Sequence, residues 1–223
     1  MFLQVTESSG TDAVPLYGPP TPFFVGLDFD PQSFVATSAG GGADVTDGQL
    51  NTTVMGLVNP NGGVSIDTIS LFERGDYSLI GFGTAATQTL AGAIIQATIR
   101  AIDGIPVAPI NLLASNASVG FNLVANPGLV QPWSLGTTVN VKAQLNALAI
   151  PYTIGVTKLD IVINNQLIAI SEPASVAFIA KKDFVIRITG EPVGDPFVPE
   201  PATLALTTIA LVGIAFARRQ PRG

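Results

Sequence analysis

"TKLDIVINNQLIAIS" (residues 157–171) and, shortly after it, "VAFIAKKDFVIRIT" (residues 176–189) decide the fold class. β-Branched and aromatic residues dominate both. In the second stretch Phe184, Ile186 and Ile188 fall on one face and Arg187 and Thr189 on the other. A period of two belongs to an extended chain with one buried face, and Val, Ile, Thr and Phe fit a pleated surface. Asn164-Asn165 reads as a type I′ turn, because Asn tolerates positive φ, and Lys181-Lys182-Asp183 reads as a second polar turn. The pair therefore predicts two adjacent hairpins of an antiparallel meander.

Similar patterns extend towards the N-terminus. Residues 139–148 alternate Val139, Val141, Ala143 and Leu145 with Asn140, Lys142, Gln144 and Asn146, and read as the clearest strand. Residues 50–58, 64–72 and 77–82 are short β-like runs, with Glu73-Arg74-Gly75-Asp76 as a turn between the last two. "GAIIQATIRAI" (residues 92–102) fits helix or strand, and its β-branched content favours strand. "TSAGGGADVTDG" (residues 37–48) reads as a glycine-rich loop and "NPNGG" (residues 59–63) as a turn. The expectation is about ten to twelve strands in an all-β, antiparallel β-sandwich, with a single C-terminal hydrophobic helix. No fixed-period repeat is visible. The expected organisation is an irregular N-terminal segment (1–22), a β-sandwich domain (23–190), a linker (191–198) and a distinct C-terminal segment (199–223).

Composition supports a packed core: of 223 residues, 47% are hydrophobic and 12% charged. Residues 1–195 carry 15 acidic and 7 basic side chains, net −8, whereas the rest carries Glu200 against Arg218, Arg219 and Arg222, net +2. An acidic body without a basic stripe excludes nucleic acid as a partner. With no Cys and no His, the chain has no disulfide, no thiolate or imidazole zinc site and no Ser-His-Asp or Cys-His machinery.

What remains for chemistry is carboxylate. Asp28 and Asp30 point to one face of an extended segment and, with Asp44 and Asp47, offer oxygen ligands for Ca²⁺ or an acid/base pair. The reading that wins is solvated loop acids, since no D-x-[DN]-x-[DN]-G run is present. Gly40-Gly41-Gly42 lacks the Lys-Ser/Thr of a phosphate loop and reads as flexible. Trp133, the single tryptophan, reads as a core or loop-pinning residue ahead of a sugar-stacking platform. No catalytic residue, metal site or cofactor is expected.

The end of the chain is "VPEPATLALTTIALVGIAFARRQ" (residues 198–220). Its uncharged run of 14 residues, 204–217, would cover only about 21 Å as a helix, short for a hydrocarbon core about 30 Å thick. Arg218 and Arg219 behind it would stay cytoplasmic and leave the acidic body outside. Pro199 and Pro201 hold the preceding chain extended, a form that a protease can grip. Pro-Glu-Pro, short apolar helix and arginine pair, in that order, resemble the PEP-CTERM protein-sorting signal of Gram-negative bacteria, also catalogued as the ice-binding protein C-terminal domain. The threonines of the body form no flat array, so ice binding itself is not expected.

The resemblance implies sorting by a membrane-embedded exosortase that recognises Pro199, Glu200 and Pro201. Leu204, Leu206, Ile209, Leu211, Val212, Ile214 and Phe216 would form the membrane helix, and Arg218 and Arg219 would fix topology. It also implies export through an inner-membrane intermediate to the cell surface or the biofilm matrix, with exopolysaccharide as a further partner. Members of this class carry an N-terminal signal peptide, whereas "MFLQVTESSG" has neither a basic n-region nor an apolar h-region, so a start further upstream is expected. The resulting expectation is a non-enzymatic envelope or matrix protein with a structural, adhesive or carbohydrate-associated role. A carbohydrate-active enzyme using Asp or Glu alone and a calcium-dependent adhesin are the alternatives.

Overall fold

The alternating runs become strands far longer than hairpin arms. A computed structural model describes residues 1–59 and 62–193. In chain order the elements are β1 (Phe2–Ser8), β2 (Thr21–Phe23), β3 (Gly26–Phe29), β4 (Val35–Ala39), β5 (Gly42–Met55), β6 (Val58–Asn59), β7 (Gly62–Val64) and β8 (Thr68–Gly81). There follow β9 (Gln88–Ile102), β10 (Ile105–Asn111), β11 (Ser115–Asn122), β12 (Gly128–Asn140), α1 (Val141–Ala147), β13 (Val156–Ser171), β14 (Ser175–Thr189) and β15 (Pro192–Val193).

One six-stranded sheet runs β1-β5-β13-β9-β10, with β11 also paired to β9; the other runs β12-β8-β14-β3-β2, with β4 also paired to β14. Every pairing in both is antiparallel, so the chain is an all-β antiparallel sandwich. The connection from β4 to β5 crosses from one sheet to the other through Gly40 and Gly41, whose φ values of 70° and 98° suit glycine. Asn59 pairs with Gly62 across "NPNGG", whose Pro60 and Asn61 lie outside the described residues, and residues 92–102 are strand as read.

The core lies between the sheets. Ile69, Leu71 and Leu79 of β8 and Ala177, Ile179, Phe184 and Ile186 of β14 face Leu50 and Val54 of β5 and Leu159, Ile161, Ile163 and Leu167 of β13. Tyr17, Phe29, Phe34 and Phe184 meet edge to face, with ring centroids 4.9–6.1 Å apart. Each buried side chain of this size contributes about 1.5–3 kcal/mol by leaving water.

Several local readings are corrected. Asn164-Asn165 is no turn: β13 runs straight through it, Asn165 pairing with Gly48 on one side and Ala93 on the other. Lys181-Lys182-Asp183 is a β-bulge inside β14, with the register shifting between Lys181 and Asp183. That extra residue changes the inward phase from odd positions, Ala177, Ile179 and Lys181, to even ones, Phe184 and Ile186. Glu73-Arg74-Gly75-Asp76 is likewise continuous strand within β8. Of the glycine-rich loop only Gly40-Gly41 turns, and Asp44 and Asp47 lie in β5.

Residues 139–148 are mostly not strand. β12 ends at Asn140, whose side chain accepts the Ala143 N–H at 2.8 Å and caps α1. Val141 and Leu145, one helical turn apart, are its buried residues. The N-terminal stretch read as irregular supplies β1, which pairs with β5 along the edge of a sheet.

Candidate functional site

The outer face of the β1-β5-β13-β9 sheet, continued by β11, is unusually rich in amides. Outward positions alternate with core positions, so each strand contributes one polar side chain in two. The register lines these up in rows across the strands. Ser8, Gln49, Asn164, Ile94 and Asn116 form one row; Thr6, Asn51, Val162 and Gln96 form the next. Thr53, Asp160, Thr98 and Asn111 form a third.

Two concavities follow one another along these rows. The larger, about 770 Å³, is lined by Gln49, Asn116, Ser118, Asn164 and Gln166 among others, with Ile94 as an apolar element 41% exposed. The second, about 750 Å³, contains Asn51, Gln96, Thr98, Arg100, Asn111 and Asp160. Gln49 Nε2 donates to Asn51 Oδ1 at 2.9 Å and Thr98 Oγ1 to Asn111 Oδ1 at 2.9 Å. Amides supply donors and acceptors on one group, the combination that pairs with hydroxyl groups.

The carboxylates of this face are already engaged. Asp160 accepts from Arg100 Nε at 2.6 Å and Thr53 Oγ1 at 2.7 Å. Partial burial would raise its pKa, but these two bonds outweigh that and hold it below the ordinary value. Asp47 accepts from Ser9 Oγ (3.0 Å), Gly10 N (2.9 Å) and both N and Oγ1 of Thr11 (2.9 and 2.7 Å). The Thr11 hydroxyl is the main cause of its lowered pKa. Asp47 thus fastens the turn after β1 beside the larger concavity, which it also lines.

The other sequence candidates lie apart. Asp44 accepts the Thr37 N–H at 2.7 Å beside the Gly40-Gly41 corner. Asp28 and Asp30 flank buried Phe29 on the opposite sheet, as the extended spacing requires. Burial first, then the nearby Asp183 and Asp30 charges, push Asp28 upward. Among the described residues no group of three or more acidic side chains is placed to hold a metal ion. Trp133 is buried, and its Nε1–H donates to the Ala180 carbonyl at 3.1 Å, so it is a core residue and not a sugar platform.

Sequence reasoning missed a second polar feature. Lys181 and Glu73 are each 1% exposed and touch at 2.9 Å, inside the aromatic cluster. Their position among turn-like polar residues hid them. The inward phase of β8, with Ile69, Leu71 and Glu73 in sequence, is the signal that could have found Glu73.

Pro199, Glu200, Pro201, the helix positions from Leu204 to Phe216, and Arg218 and Arg219 lie outside the described residues. No helix among the described residues is long and apolar enough to cross a membrane. The PEP-CTERM protein-sorting motif model matches residues 197–220. The chain carries a PEP-CTERM sorting signal. The PEP-CTERM signal implies export and membrane-associated processing by an exosortase, as the sequence led us to expect.

No curated protein matches the chain. Among solved structures, the tailspike protein 4 enzymatically active domain of bacteriophage CBA120 is 14% identical with a TM-score of 0.17. The match covers 80% of this chain, which spans 17% of that one. Basic winged bean lectin with Tn-antigen is 8% identical with a TM-score of 0.26, covering 83% of this chain and 99% of its own. A family 30 carbohydrate-binding module is 8% identical with a TM-score of 0.26, covering 83% and 91%. Likenesses this loose carry no argument about ligand or activity, and the PEP-CTERM signal alone carries the assignment to export.

Proposed function

We propose that this is a non-catalytic protein of the cell surface or extracellular matrix, released from an inner-membrane intermediate by an exosortase acting at Pro199-Glu200-Pro201. In this reading the segment 199–223 is the sorting signal, the apolar helix is the transient membrane stop, and the sandwich is the part displayed. The PEP-CTERM match at residues 197–220 is the observation that carries the export and processing. Within the matrix the amide-lined face holds exopolysaccharide, whose hydroxyl groups suit Gln49, Asn51, Asn164 and Gln166.

Two features support holding rather than cutting. The outward-facing carboxylates are bonded to neighbouring protein groups. Asp47 and Asp160, the carboxylates that line the two concavities, are also far apart: Asp47 pairs with Gln166, six residues along β13 from Asp160, which is about 20 Å on a strand. Glycoside hydrolysis needs two carboxyl groups within about 5–10 Å.

The test is retention of the protein in an affinity gel containing exopolysaccharide from the source cells. Replacing Gln49 and Asn164 together with Ala should weaken retention at least about tenfold, equivalent to about 1.4 kcal/mol, with stability changed by only about 0.5 kcal/mol. Equal retention of variant and wild type would remove the groove from the reading. An unprocessed C-terminus on protein recovered from the matrix, measured by mass spectrometry, would remove the exosortase step.

A further inference from the structure

We propose that Lys181 and Glu73 join through their side chains as an amide, a self-formed covalent cross-link between β14 and β8. The inference is independent of the groove and of the sorting signal.

Lys181 keeps the inward phase of Ala177 and Ile179 just ahead of the bulge, and β8 brings Glu73 to meet it, Nζ lying 2.9 Å from Oε2 with both side chains 1% exposed. Close approach of the strands depends on Gly75, opposite Lys181, where a Cβ would run into the Ala180 carbonyl and lie 2.9 Å from Trp133 Nε1.

Nζ lies 4.4, 5.1 and 5.6 Å from the ring centroids of Phe34, Phe184 and Tyr17, a water-poor cage. Beyond their mutual contact, neither the ammonium nor Glu73 Oε1 has a polar partner among the described residues. A buried ion pair lacking such bonds is a costly arrangement, because desolvation is not offset. Burial drives both groups towards neutrality: it raises Glu73 against the pull of Lys181, and it lowers Lys181 to about 8 against the pull of Glu73. The aromatic cage adds some cation–π attraction but no lone pair to accept the ammonium hydrogens.

The chemistry then balances without any co-reactant. A proton passes from Nζ to the Glu73 carboxylate, leaving a neutral amine and a carboxylic acid in contact. The Nζ lone pair attacks Glu73 Cδ, forming the C–N bond. The C–O bond breaks, and the departing hydroxyl takes a proton from nitrogen and leaves as water. The product is an uncharged secondary amide, which removes both buried charges. Such a bond would also staple two central strands in a chain with no cysteine.

Intact-mass measurement of the full-length, denatured protein tests this directly. The expected result is a mass lower than the sequence by one water molecule, no tryptic cleavage after Lys181, and a joined peptide containing both Glu73 and Lys181. Lys181→Arg, which keeps a cation but has no attacking amine, should restore the full mass. A wild-type mass equal to that of the sequence with normal cleavage at Lys181 would overturn the proposal. So would a deficit that persists in Lys181→Arg, or the loss of ammonia with Lys181 joined to Asn165, the buried amide nearby whose Oδ1 is also unpartnered. The wild-type measurement decides the matter even if the variant fails to fold.

Discussion

β13 and β14 are the central strands of their sheets, and each is interrupted midway by polar residues that look like a turn. They absorb the interruption differently. β13 keeps its phase, so Asn164 reaches the outer groove while Asn165 enters the core and donates to the Tyr17 hydroxyl at 2.9 Å. β14 adds a residue instead, so that Lys181 keeps the inward phase of Ala177 and Ile179 while Lys182 points outward to Asp76 at 2.7 Å. A polar residue in a continuous ladder is tolerated inside only if a partner meets it. Asn165 finds one in a hydroxyl, Lys181 in a carboxylate, and the cost of removing each should differ accordingly.

The largest effect is expected at the charged site. Lys181→Met leaves Glu73 buried without a counter-charge and should lower stability by about 3–5 kcal/mol in urea unfolding. A loss below about 1 kcal/mol would mean that Glu73 reaches water in the native state. Asn165→Ala should cost less, about 1–3 kcal/mol, because a neutral hydrogen bond is lost and Tyr17 keeps its bond to the Gly48 carbonyl at 3.1 Å. If it costs as much as Lys181→Met, the contrast between the strands fails.

Acid sharpens the comparison further. In protein whose Lys181 and Glu73 are not joined, burial gives Glu73 a raised native pKa, so its contribution is present below the unfolded value and lost as pH rises through the native one; acidification does not cost stability there. Asp103 behaves oppositely. Burial would raise it, but N–H groups of Gly155, Thr153 and Ile154, at 2.8, 2.8 and 2.6 Å, hold it below the ordinary 3.8. Its contribution is therefore present above the unfolded value and lost as pH falls through the native one. Asp103→Asn should lower stability at neutral pH by about 1 kcal/mol and flatten the decline in melting temperature on acidification below about pH 4. An unchanged slope would shift the acid sensitivity to other carboxylates.

The fold class was legible because a period of two with abundant Val and Ile survives any error in where turns fall. The turns were not. Glu73-Arg74-Gly75-Asp76 and Asn164-Asn165 have turn composition but are held extended by ladders on both sides, and Lys181-Lys182-Asp183 is held by β8 on one side, where it bulges. α1 was missed because Val141 and Leu145 are four apart, a spacing that serves a helix turn and two strand repeats equally. The sorting segment was legible because its three parts are contiguous. The groove was not, since six strands each contribute outward residues that, strand by strand, look like an ordinary wet face.

β14 is also the last long strand before the chain leaves the body through β15. Along its length it is gripped by β8 on one side and by β4 and β3 on the other. A pull on the C-terminal end therefore runs along the strand axis and loads both ladders in shear, so that many hydrogen bonds share the force. The same pull on an edge strand would peel bonds off singly, and the body is thus built to withstand tension from the end at which the sorting segment emerges.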